Sequence, residues 1–213
     1  MYRKGDKDRC FAGGAKNGEN DMYKKQMILQ RIVCYLQLIA SALVFIYSLG
    51  LLTDLYDNKF NYYAENLEKP QVAGTEIYYY MQEFNQNLTA VGIILILLAV
   101  SLFVFRNNVR RKYYIANYIT VAVNTIASIA ASVWALNNVF IYRAQYLLVD
   151  FVELKKRSEM FGFSYTESTF WFDISVVVFG LLLVVTALNV ANLIFKVVLM
   201  KSEKQLLEAG KEA

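Results

Sequence analysis

Histidine is absent from all 213 residues, which removes the commonest general base at neutral pH and the commonest protein ligand for zinc. Zinc chemistry and Ser-His-Asp catalysis are excluded. Only two cysteines occur, Cys10 and Cys34, and neither lies in the long connecting segments, so no disulfide framework staples the chain. A single proline, Pro70, and ten glycines supply too little turn punctuation for a many-stranded sheet protein. Helix is the remaining default. The formal charge of +4 is never gathered into a cationic domain: the basic residues sit beside apolar runs, so nucleic acid is not an expected partner.

What the chain has instead is apolar length. Hydrophobic residues make up 57% of it, more than a soluble domain usually carries. Leu88 to Phe105 is an 18-residue run without a charge, about 27 Å as helix, close to the hydrocarbon thickness of a bilayer. Tyr114 to Trp134 is also uncharged, Phe170 to Phe195 holds one acid, Asp173, and the stretch from Ile32 to Leu52 carries Gln37 but no charge. The sequence therefore predicts an all-α membrane protein. Its four transmembrane helices, over about 32–52, 88–105, 114–136 and 170–195, form an antiparallel bundle within residues 28–200. Residues 1–27 and 201–213 are read as cytoplasmic tails, the first of them flexible. The first apolar run is too long for the core of a signal peptide and is followed by Thr53, Asp54 and Tyr56 with no small-residue cleavage pattern, so it is expected to stay in the protein.

Lysine and arginine fix the expected orientation. Sixteen of them precede span one, join spans two and three, or follow span four, against six in the other two connections. Both termini are thereby placed in the cytoplasm, in a cell membrane. The absence of cysteine from the outer connections favours a bacterial cytoplasmic membrane. Asn87-Leu88-Thr89 matches a glycosylation sequon on the outer side but abuts the membrane, and is read as a chance match.

The two outer connections, 53–87 and 137–169, carry helical patterning that extends the bundle beyond the bilayer. In the first, Leu49, Leu52, Tyr56, Tyr63 and Leu67 recur at mostly helical spacing, Pro70 and Gly74 mark a turn, and Thr75 is placed to cap the next helix. In the second, Phe140, Ala144, Leu147, Phe151 and Leu154 predict one continuous stripe on an extended third helix. Gly162 then permits a reversal, and Ser164 with Glu167 forms a capping box for the helix entering span four.

The polar residues inside the spans are the candidates for function: Asn124, Asp173, Asn189 and Asn192. Asn124 lies on a stripe with Thr120, Ala127, Ala131, Ala135 and Asn138 that reads either as a wet pathway or as a close-packing face with one interhelical hydrogen bond. Asp173 sits two residues past Trp171, where it is either an ion site or a wet rim residue bonded to Asn137 or Asn138. Asn189, Asn192 and Lys196 share one face of span four and, with Gln37, outline a small vestibule in which Lys196 can snorkel to the cytoplasmic side. Outside the membrane, Tyr62, Tyr63, Tyr78, Tyr79 and Tyr80 accompany several acids and form either an interaction surface or the core of the projecting bundle.

No acid–base pair, nucleophile with its activator, metal-ligand cluster, phosphate loop or cofactor signature stands out, so neither an enzymatic activity nor a cofactor is expected. The expected role is that of a non-enzymatic membrane subunit. It would scaffold or regulate a larger assembly, with the lipid bilayer and either a membrane-protein partner or further copies of itself around it. The alternative is a channel or transporter subunit whose pore forms between protomers.

Overall fold

The computed structural model describes residues 6–53, 72–106, 114–161 and 165–209. Among them are five helices and no strand: α1 Asp6–Thr53, α2 Glu76–Arg106, α3 Tyr114–Tyr146, α4 Phe151–Phe161 and α5 Phe170–Ala209. All but α4 are long and apolar enough to cross a membrane, over Lys24–Leu51, Glu76–Phe105, Asn117–Tyr146 and Phe170–Lys201, and each contains one of the four spans expected from sequence. Helix α1 begins well before its apolar run, and α5 continues to Ala209, so helix reaches into both stretches read as tails.

The buried positions explain how these helices meet. Along α1 they fall at Gln26, Gln30, Val33, Gln37, Ala40, Val44, Tyr47 and Leu51, steps of four and three that keep one seam inward. On α3, Asn117, Val121, Asn124, Ser128, Ala131, Ala135 and Val139 do the same. A repeat of 3.5 residues is the spacing of knobs-into-holes packing with a left-handed supercoil. Helix α1 touches α2 and α5, and α3 touches the same two, so the four long helices close a ring around a main apolar cluster and a smaller one at Cys34, Leu102 and Val121.

The packing departs from that of a soluble bundle in placing many polar residues among the buried apolar ones and large apolar residues on the outside. Gln37, Ser41, Ser48, Asn124, Ser128, Ser132 and Thr186 are buried, whereas Ile39, Ile46, Leu97, Ile126, Val177 and Val184 face outward. Water would penalise this arrangement and lipid does not, because hydrocarbon gives no reward for hiding leucine but leaves polar groups to find partners among neighbouring helices. The distribution fits a multi-pass membrane protein. Gly92 sets how closely α1 and α2 approach, since a Cβ there would lie 2.9 Å from Phe45 Cα.

At the end of the bundle beyond Tyr146 the structure departs from the expected long continuous helix. The third helix stops at Tyr146, and α4 restarts at Phe151 because the Asp150 carboxylate accepts hydrogen bonds from Val152 N (3.1 Å) and Glu153 N (3.0 Å). Asp150 is an N-cap, and its own N–H donates to Ala73 O at 3.1 Å. The stripe from Phe140 to Leu154 is thereby divided: Leu154 is core, but Phe140 and Leu147 are exposed. Gly74 fits against the same break with φ of +85°, where a Cβ would come within 2.9 Å of Val149 Cα. Thr75 stands at the expected start of α2, yet its hydroxyl donates backward to Val72 O at 2.8 Å.

The last long helix starts at Phe170, not just after Ser164, and Thr169 O accepts from Phe172 N at 2.9 Å and Asp173 N at 3.0 Å. Glu167 lies in the irregular segment before it. Tyr56, Tyr62, Tyr63, Leu67, Pro70, Gly162 and Ser164 lie outside the described residues.

Candidate functional site

Helices α1, α3 and α5 supply a buried polar spine. Its central layer joins three of them: Asn189 Nδ2 donates to Gln37 Oε1 at 2.9 Å, and Gln37 Nε2 donates to Ser128 Oγ at 3.3 Å. Gln37 has no solvent exposure and Asn189 has 4%. One amide thus bridges two neighbouring helices, using an acceptor and a donor that would otherwise be orphaned in a low-dielectric interior.

A second layer lies further along the seam. Gln26 Nε2 donates to Gln30 Oε1 at 3.3 Å and to Asn192 Oδ1 at 3.5 Å. Gln30, Cys34, Asn117, Asn189, Asn192 and Lys196 line an enclosed cavity of about 10 Å³ here, room for a single water-sized occupant. Lys196 is only 9% exposed, so its side chain stays among these residues. Of the residues expected to outline a vestibule, Asn189, Asn192 and Lys196 line this cavity, whereas Gln37 reaches it only through its bond with Asn189; Gln30 and Asn117 join the lining, and Gln26 bonds to Gln30 and Asn192 from beside it. Those three were legible only as polar residues near the ends of apolar runs, since nothing in their own spacing aims them inward until the 3.5-residue seam is known.

Asn124, between the two layers on the α3 seam, has 0% exposure, and neither its Oδ1 nor its Nδ2 has a hydrogen-bond partner; Asn85 on α2 is in the same state. Asp173 belongs elsewhere. It lies at the start of α5, exposed, and accepts from Arg143 Nε at 3.0 Å and from Thr169 Oγ1 at 2.7 Å. Asn138 donates to Trp134 O at 2.8 Å within its own helix, so the rim partner of Asp173 is Arg143 and not an asparagine.

Comparison with protein-family models, with curated proteins and with solved structures finds no match. Assignment therefore rests on the residues themselves.

The tyrosines divide. Tyr78 is core, 1% exposed, with its ring edge-on to Tyr146 at 6.3 Å. Tyr80 is 54% exposed and, with Glu76, Gln145 and Leu148, borders an outward-facing groove of about 310 Å³. The side chain of Tyr79, like Tyr62 and Tyr63, is outside what is described. A second groove of about 310 Å³, almost wholly apolar, opens sideways between α2 and α3, where Ala127, Ala130 and Ala131 form a floor of small residues between Ile94 and Trp134.

Proposed function

We propose that this protein is a non-enzymatic integral membrane subunit that scaffolds or regulates a larger membrane assembly. The observation that carries the reading is the sideways groove over Ala127, Ala130 and Ala131, bounded by Ile94 and Trp134. Small residues on a lipid-facing surface let a foreign helix approach closely, and contact of this kind is what drives helix association in a bilayer. The groove beside Tyr80 offers a second contact on the exposed end, with tyrosine supplying area at low entropic cost.

In this reading the chain is an antiparallel four-helix bundle with both termini in the cytoplasm and the Gly74–Asp150 junction outside. The pairings of Gln37 with Ser128 and Asn189, and of Tyr47 with Trp171, support the antiparallel order. The excess of basic residues on the terminal side supports the orientation. A non-enzymatic role is supported by the setting of Asp173, the acid of the spans, which lies exposed at the rim and is held by Arg143 and Thr169 with no second carboxylate beside it among the described residues. A pore between protomers is the weaker reading, because Asn124, Asn189 and Asn192 are buried inside one bundle and do not face a neighbour.

Purification in mild detergent followed by native mass measurement tests the proposal. A stoichiometric membrane partner, or a closed oligomer, is expected, and Ala130→Leu is expected to release it while the helical content is retained. A lone monomer across several gentle detergents would refute the assembly reading.

A further inference from the structure

We propose that the enclosed cavity beside Gln30 and Asn192 is a binding site for one ordered water, which joins α1, α3 and α5 at the end of the polar spine. At about 10 Å³ the space takes one water and nothing larger. Five of its nine lining residues are polar: Gln30 from α1, Asn117 from α3, and Asn189, Asn192 and Lys196 from α5. Cavities that stay empty are apolar, whereas a space of this size with several polar groups in its wall holds water.

The neighbouring hydrogen bonds show what the wall offers. Gln26 Nε2 donates to Gln30 Oε1 at 3.3 Å and to Asn192 Oδ1 at 3.5 Å, and Asn189 Nδ2 donates to Gln37 Oε1 at 2.9 Å. Each contact uses one end of an amide that carries two N–H donors and an oxygen with two lone pairs, so Gln30, Asn189 and Asn192 keep capacity for a further bond. The wall therefore presents N–H and C=O groups together. A water donates and accepts at once and matches that mixture; an ion of either sign is matched by only one half of it. Lys196 already engages a neighbour, so the site requires no counter-ion, and a wall without a carboxylate does not favour a cation. Inside a bilayer no solvent reaches these amides from the lipid, and a bridging water supplies interhelical bonds of the kind that Gln37 supplies in the central layer. The site lies within one bundle, so it is independent of the assembly proposed above.

The test is X-ray hydroxyl-radical footprinting of the full-length protein in detergent, read by mass spectrometry. Radiolysis of a bound water releases its radical in place, and Cys34, on the cavity wall and 3% exposed, is the reporter. Met81, a sulfur side chain 1% exposed in the main apolar cluster, is the dry control. Cys34 is expected to oxidise about tenfold faster than Met81. Val121→Leu and Leu193→Phe, which fill the cavity and are each checked for retained helicity and elution volume, are expected to remove that excess. As a second readout, a rotating-frame Overhauser cross-peak from water to the side-chain amide of Asn192 is expected in the wild-type protein. Absence of the cross-peak would overturn the proposal, and so would equal oxidation of Cys34 and Met81, or a Cys34 excess that survives in both filled variants. Should neither filled variant fold, the cross-peak alone decides.

Discussion

Gln37 and Asn124 are both buried amides on facing seams, and they predict opposite mutational outcomes. Gln37 bridges Ser128 and Asn189, so Gln37→Leu removes two interhelical hydrogen bonds and strands the Asn189 amide. A loss of about 1–2 kcal/mol is expected, since such bonds average roughly 0.6 kcal/mol and an orphaned buried group adds its own penalty. Asn124 has no partner on either amide atom, so Asn124→Leu, close in volume, should leave stability unchanged or raise it. Reversible unfolding in mixed detergent measures both. A large destabilisation by Asn124→Leu would mean that the asparagine holds something the protein alone does not supply. At the rim, Asp173→Asn is expected to leave stability almost unchanged, because both members of its pair with Arg143 are well solvated.

Among the helices, three glycines separate close approach from idle space. A Cβ at Gly92 meets the Phe45 backbone at 2.9 Å, so Gly92→Ala must push α1 and α2 apart, at a cost of about 1–3 kcal/mol. A Cβ at Gly180 meets nothing within 4 Å, and Gly180→Ala is expected to be neutral or to stabilise by up to about 1 kcal/mol through helix propensity. Gly74 combines a left-handed φ with contact against Val149, so Gly74→Ala strains the backbone and undocks the start of α2 from the α3–α4 junction. Thermal unfolding of the three variants side by side ranks them. Asp150→Ala tests the junction from its other side: loss of the cap on Val152 and Glu153 is expected to cost about 1 kcal/mol and to loosen α4 before the long helices, which amide exchange resolves.

For the molecule as a whole, single cysteines introduced on a background lacking Cys10 and Cys34 test the proposed orientation. Met22→Cys and Lys201→Cys are expected to react with an impermeant thiol reagent from the same side of sealed vesicles, and Leu148→Cys from the opposite side, all three positions being exposed. Labelling of Leu148→Cys from the side of the termini would refute the inside placement of both ends.

How much of this was legible in residue order follows from what each feature depends on. Spans were legible because lipid imposes a length and a composition that any window of eighteen residues records, and every expected span lies within an α-helix. The common face of Asn189, Asn192 and Lys196 was legible too, since spacing on one helix is a local property. The end of α3 was not: the pattern from Phe140 to Leu154 is helical throughout, and the break comes from Asp150, whose carboxylate caps α4 while its N–H reaches Ala73 in a distant part of the chain. Asp173 likewise read as an open question because Arg143, thirty residues away, is what pairs with it. The sequence by itself determined the solvent, the number of crossings and the helical class, all of which depend on local composition and period. Only the tertiary structure decided which amides satisfy one another, which, like Asn124, are left without a partner, and where the cavity lies, because those depend on the register among the long helices.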